Sequence, residues 1–212
     1  MIIYKDRREA GKTLAQALMD YRGMHDGLVL ALPRGGIVVA EEVAQHLKLP
    51  LDVVLLRKLP FPDNPEFAVG AISEDGSIFL NPEFRSSSGQ HPGWLQTILW
   101  EQRSIIQQRA RMYRPHRHQH SIKDKIVILV DDGVATGATM RIAIQAVQKA
   151  GAAKTIVAVP IASPSTMREL KAEVDQMVVL EAPLDFQAVG QAYESFTQVS
   201  DEEVCEILDR NS

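Results

Sequence analysis

Cysteine is nearly absent from this chain. Cys205 is the only one in 212 residues, which excludes an intrachain disulfide and fits a reducing compartment. Long apolar runs are missing too; none approaches the roughly 18 residues of a membrane-spanning helix. Aromatic residues make up 6%, and 23 Lys and Arg stand against 27 Asp and Glu, a formal net charge of −4. That balance gives no global case for nucleic-acid binding. The opening MIIYKDRREAGK has too short an apolar part, followed at once by charge, for a signal peptide. No internal repeat is visible. A cytoplasmic location is expected, without a membrane or nucleic-acid partner.

What is present is enough apolar material for a core, 45% of residues, on a length that suits one α/β domain, with or without a small flap. The chain is organised around Lys125–Met140, KIVILVDDGVATGATM. Ile126–Val130 are five Ile, Val or Leu in a row, the pattern of a strand buried on both faces of a parallel sheet. Asp131 and Asp132 follow directly. In open α/β sheets ligands bind beyond the carboxyl ends of such strands. Two carboxylates there can accept hydrogen bonds from vicinal hydroxyls. Ala135-Thr136-Gly137-Ala138-Thr139 then opens a helix, where free N–H groups and the helix dipole favour an anion. Gly137 and Ala138 permit close backbone approach, and Thr136 and Thr139 add hydroxyls. A sugar phosphate satisfies both halves.

The remaining elements follow from periodicity and turn chemistry. Tyr4–Asp20 contains a helix with Asp6 as N-cap, and Arg7 and Arg8 read as a solvated face. Leu28–Leu32 is a strand running into Pro33-Arg34-Gly35-Gly36, a second loop able to face an anion, before a helix over Ile37–Leu47. Leu51–Leu56 reads as another buried strand, ending in Arg57-Lys58. Leu59–Glu66, with three prolines, is expected to be irregular. Short strands are expected over 68–72 and 77–80, around the turn Glu74-Asp75-Gly76. Asn81–Pro92 reads as a loop and Trp94–Tyr113 as a helix bearing Arg103, Arg109 and Arg111. Arg114–His120 reads as a solvated basic helix end. His116, His118 and His120 lack the accompanying acid or cysteine of a metal site. Further on come a helix ending near Gly151, a strand over Thr155–Ala162, a helix capped by Ser163 with Pro164 at its first position, a strand over Met177–Leu180 and a closing helix over Asp201–Leu208.

An apolar strand, two acids and then Thr-Gly-small-Thr is similar to the phosphoribosyl pyrophosphate signature of the type I phosphoribosyltransferases. From Pro-Arg-Gly-Gly through Arg57-Lys58 to Tyr193-Glu194-Ser195-Phe196, nearly the whole chain resembles a bacterial subfamily of phosphoribosyltransferases whose acceptor is unassigned. The resemblance implies an open, mainly parallel sheet flanked by helices, in one domain over 1–212. It also implies a lid and hairpin at about 59–80, a helical insertion at about 92–114 and a hood at about 183–212. Asp131 and Asp132 would hold the ribose hydroxyls, and Ala135 to Thr139 would wrap the 5′-phosphate. Arg34, Gly35, Gly36, Arg57 and Lys58 would bind pyrophosphate, with Arg57 assisting its departure alongside the two acids. Glu66 is a candidate acid or base on the lid. Phe186, Tyr193 and Phe196 are candidates to stack on a flat acceptor, or else pack the C-terminal part.

The resemblance further implies Mg²⁺ held largely by substrate oxygens and water, with no dedicated protein cage, and a homodimer as a common state. Where 6-oxopurine enzymes of the family carry an Asp, this chain has Ala135. That lowers hypoxanthine and guanine among the acceptors and leaves amine-bearing heterocycles open. The expected activity is Mg-dependent phosphoribosyl transfer to a nitrogenous base or similar acceptor, within nucleotide metabolism. The alternatives are a regulator that binds the sugar phosphate without transfer and a phosphohydrolase acting on a related ligand.

Overall fold

The computed structural model describes residues 3–61, 64–80, 93–115 and 119–211, with backbone alone over 64–68. Its centre is a five-stranded parallel sheet of β1 (Gly27–Ala31), β2 (Leu51–Val53), β6 (Ile126–Val130), β7 (Lys154–Ile161) and β8 (Gln176–Glu181), in the order β2-β1-β6-β7-β8. The unbroken apolar runs occur where both faces of a strand are covered. Val29, Ala31, Ile128, Val130, Ile156 and Ala158 point into one core with α1 (Arg7–Gln16) and α2 (Gly36–Leu47). Their alternates, including Leu28, Leu30, Val127 and Leu129, join Met140, Ile144 and Val147 of α4 (Ala138–Lys149) and Leu170 of α5 (Pro164–Lys171) in a second core on the opposite face. All residues of β1 are buried.

The chain leaves β1 toward the β2 edge and leaves β6 toward β7 and β8. The carboxyl ends of the neighbouring strands β1 and β6 therefore flank a topological switch point, where the loops diverge and open a crevice. Pro-Arg-Gly-Gly and Asp131–Thr139 are those two loops.

A second, three-stranded antiparallel sheet adjoins this rim: β3 (Leu56–Phe61), β4 (Asn64–Ser73) and β5 (Ile78–Leu80). Two expectations are corrected here. The run Leu51–Leu56 is not one strand: β2 stops at Val53, and Arg57 and Lys58 belong to β3 of the other sheet. The proline-rich segment is not irregular over its described residues, since Leu59 to Phe61 pair with β4. The register shifts on either side of Pro60, which has no N–H to give the ladder. The turn at 74–76 does join β4 to β5, with Asp75 accepting from the Ser77 N–H at 3.0 Å.

Helix α3 (Trp94–Tyr113) packs on this sheet, and α6 (Asp201–Arg210) closes the chain, capped by Ser200. The Asp6 cap on α1 and the Ser163 cap with Pro164 on α5 are in place. The loop expected at 81–92, and His116 and His118, lie outside the described residues. No helix among the described residues is long and apolar enough to cross a membrane.

Candidate active site

Strand β6 delivers Asp131 and Asp132 to the crevice, both partly buried. The Asp132 N–H donates to Asp131 Oδ1 at 2.9 Å, and Arg7 Nε donates to Asp132 Oδ2 at 2.7 Å. Two adjacent carboxylates in a crowded site cannot both ionise freely. Burial, and then the charge of Asp132, hold the Asp131 carboxyl well above its ordinary value.

Arg7 is the residue that sequence reasoning missed. It is not on a solvated face: only 8% of it is exposed. Its guanidinium pairs with Asp132, donates to the Thr197 carbonyl at 2.8 Å and lies 3.8 Å from the centre of the Phe196 ring. The signal was in the spacing. Arg7, Ala10 and Leu14 fall on one helix face, and that face is buried. Arg8 is the more exposed neighbour and pairs with Glu41 and Glu42.

The Pro-Arg-Gly-Gly loop packs directly under the acids. A Cβ at Gly35 would stand 2.0 Å from Asp132 Oδ2, and one at Gly36 would stand 2.8 Å from Asp131 Oδ1 and 2.9 Å from the Val130 carbonyl. Gly35 has an ordinary right-handed backbone, φ −56. The glycine pair thus serves close approach of the acids. The Pro33–Arg34 peptide is cis. Arg34 leans toward Asp201 at the start of α6, 3.9 Å away, while Pro33 lines the crevice.

The loop after the acids meets the N-terminus of α4. Gly137 takes a left-handed conformation, φ +73, and gives the helix no side-chain cap, so no side chain at that position satisfies the first-turn N–H groups. The loop is held from behind. The Ala135 carbonyl accepts from Ser163 Oγ at 3.0 Å and from buried Thr166 Oγ1 at 2.6 Å. Ala135, Thr136 and Thr139 are exposed.

Beyond Thr139 lies a cleft of about 390 Å³ between the two sheets, walled by Pro33, Thr139, Arg57, Lys58, Gln102 and Arg109. Arg57 and Lys58, presented by β3 rather than by a parallel strand, share this cleft with Pro33 and Thr139, one from each of the two loops at the carboxyl ends of β1 and β6. Arg57 Nε donates to Gln102 Oε1 at 2.8 Å. Another cavity, of about 250 Å³, lies away from these residues, beside Asp75 and His120.

Of the aromatic candidates, Tyr193 is buried, stacks on Phe196 at 5.1 Å and donates its hydroxyl to the Asp132 carbonyl. Burial, and then the charge of Asp132, raise the Tyr193 hydroxyl far above its usual range. Tyr193 thus braces the acid pair. Phe186 packs on the small cluster around Tyr4, and Phe196 is 40% exposed. Arg114 is a second correction: it is buried, not a solvated helix end, and pairs at 2.8 Å with fully buried Asp52 and with Glu74. The side chain of Glu66 lies outside the described residues.

For a magnesium ion the donor set is of the right kind. Asp131 and Asp132 offer carboxylate oxygen, which suits a hard cation that keeps several waters.

These features coincide with a known family. The model of the phosphoribosyl transferase domain matches residues 3–195, and the chain belongs to that family, with the type I fold. It is 41% identical over 210 residues to the Mycobacterium tuberculosis H37Rv protein named "Putative phosphoribosyl transferase Rv0571c", and equally to the strain CDC 1551 protein named "Putative phosphoribosyl transferase MT0597". The alignment takes in 99% of this chain and 47% of each relative, so the chain spans about half the length of the curated relatives it matches. The crystal structure of the protein TT1426 from Thermus thermophilus is 44% identical, with a TM-score of 0.87 over 100% of both chains.

Proposed function

We propose that this chain transfers the 5-phosphoribosyl group of phosphoribosyl pyrophosphate to a nitrogenous base or similar acceptor, releasing pyrophosphate. One observation carries the reading. The acid pair and the helix N-terminus that follows Gly137, which has no side-chain cap, are contiguous after β6, and Thr139 of that helix and Pro33 of the glycine loop also wall the cleft that holds Arg57 and Lys58. Such a substrate needs all three: an anion site for its phosphate, carboxylates for its ribose hydroxyls and cations for its diphosphate.

In the transfer, the sugar's C1–O bond to pyrophosphate breaks and a bond from C1 to the acceptor nitrogen forms. The ring gains positive charge as the leaving group gains negative charge, so the protein's main task is electrostatic. Asp131 and Asp132 hold the ribose hydroxyls and lie on the cationic side. Arg7 and Tyr193 keep Asp132 in place through its carboxylate and its carbonyl. Arg57 and Lys58 take up the charge of the departing diphosphate. The α4 N-terminus, backed by Ser163 and Thr166, fixes the 5′-phosphate. Mg²⁺, when bound at Asp131 and Asp132 through water or substrate oxygens, would neutralise diphosphate charge. Ala135 offers the acceptor no carboxylate.

The test is isothermal titration of phosphoribosyl pyrophosphate with Mg²⁺ against wild type and Asp131→Asn/Asp132→Asn, followed by pyrophosphate release across a panel of bases. Binding lost in the variant, with release for one base, establishes the transferase. Binding without release for any base points to a regulator. No binding by wild type sinks the proposal.

A further inference from the structure

The arginines divide by how their charge is met. Among the described residues, those that are at least partly buried are Arg7, Arg34, Arg57, Arg109, Arg114 and Arg141. Arg7, Arg34, Arg114 and Arg141 each have a carboxylate within 4.0 Å. Arg57 and Arg109 have none among the described residues, and both face the same cleft. Arg57 is held instead by Gln102, whose side chain is neutral and buried. An amide oxygen at that point fixes the guanidinium without cancelling its charge, which a carboxylate would do.

We propose that α3 is a working part of the anion end of the site, with Arg109 a direct diphosphate ligand and Gln102 the positioning residue that presents Arg57 to the same diphosphate. Two guanidiniums with no counter-ion among the described residues repel, and burial together with the charge of Arg109 lowers the affinity of Arg57 for its proton. A ligand with two or more negative charges relieves that repulsion, and the planar donor forks of two arginines match adjacent phosphoryl groups. Lys58 adds a third cation at the cleft's exposed edge. The site is therefore assembled from the second sheet and from α3, not from the parallel sheet alone.

This inference rests on the transferase reading for the identity of the diphosphate, and the experiment separates the two. Inorganic pyrophosphate and ribose 5-phosphate are titrated separately into the full chain and into Arg109→Ala, Arg109→Lys, Gln102→Glu and Gln102→Ala. Arg109→Ala is expected to weaken pyrophosphate binding by about 10- to 100-fold, the loss of a charge-assisted contact, and to leave ribose 5-phosphate within about twofold. Arg109→Lys recovers part of the loss. Gln102→Glu, which puts a counter-charge on Arg57, weakens pyrophosphate more than Gln102→Ala does. A purely structural role for Gln102 would give the reverse order and would remove it from the proposal. Pyrophosphate binding that is absent in wild type, or unchanged in Arg109→Ala, overturns the assignment of Arg109. If wild type binds pyrophosphate but not ribose 5-phosphate, and Arg109→Ala loses the pyrophosphate, the α3 site stands and the transferase reading fails.

Discussion

The acid pair and the cationic cleft balance charge in opposite ways. At the acid pair Asp132 is neutralised by Arg7, braced by Tyr193 and packed against Gly35. In the cleft of about 390 Å³ Arg57, Lys58 and Arg109 have no carboxylate partner among the described residues. A closed ion pair contributes to the folded state before any ligand arrives, whereas an open cationic cleft costs some repulsion that only a ligand relieves. Substitutions at the acid pair should therefore be read in stability, and in the cleft in affinity.

The largest effect that sharpens this contrast is expected from Arg7→Ala. Removing one partner of a mostly buried ion pair strands Asp132 and costs about 3 kcal/mol, which for a chain of this size lowers the melting temperature by about 6–12 °C. Arg109→Ala should move it by less than about 2 °C. Equal shifts in differential scanning calorimetry would break the comparison.

Gly36→Ala comes next. Its Cβ would press on Asp131 Oδ1 and on the Val130 carbonyl, and backbone of a central strand yields little. About 1–3 kcal/mol of destabilisation is expected, with weaker binding of ribose 5-phosphate as the acids shift. A crystal structure of the variant with Asp131 unmoved would contradict this account.

A pH dependence follows from Asp131, whose folded value lies above the ordinary 3.8 because of burial and the charge of Asp132. Below 3.8 the carboxyl is protonated in both states. As the pH rises above 3.8 the unfolded chain ionises first, while the native carboxyl keeps its proton. The native state then binds more protons, so stability falls with rising pH until the native carboxyl ionises too. Asp131→Asn should lack this component, of at most about 1.4 kcal/mol per pH unit. Urea midpoints of the two proteins that run parallel from pH 4 upward would rule it out.

The smallest effect is expected at Arg141, whose pairs with Glu169 and Glu173 are partly solvated. Arg141→Ala should cost about 0.2–1 kcal/mol and less in high salt. A loss as large as that of Arg7→Ala would mean that pair number, not burial, sets the stability.

Much of this was legible along the chain because it is local. The apolar run Ile126–Val130, the Ser163-Pro164 helix start and the helix over 94–113 are each specified by a short contiguous stretch. So is the loop after β6, where strand, acids and helix N-terminus are contiguous. The errors fell where a residue's partner is distant in sequence. Arg7 meets Asp132, and Arg114 meets Asp52 and Glu74, so both were taken for solvent-facing. Proline content suggested an irregular lid, but strand pairing accommodated Pro60 through a register shift. The hood aromatics could not be apportioned between stacking and packing, because that depends on whether Tyr193 reaches the Asp132 carbonyl.

The sequence by itself determined most of the parallel strands, the acid pair and the loop into the next helix, since contiguous residues impose backbone periodicity and cap the helices without help from afar. Only the tertiary structure decided how charge is distributed over the site. It set Arg7 on Asp132, placed Gly35 and Gly36 under the carboxylates and left Arg57 and Arg109 together without a counter-ion among the described residues. Electrostatic energy depends on distance through space and on burial, and neither is a property of position along the chain.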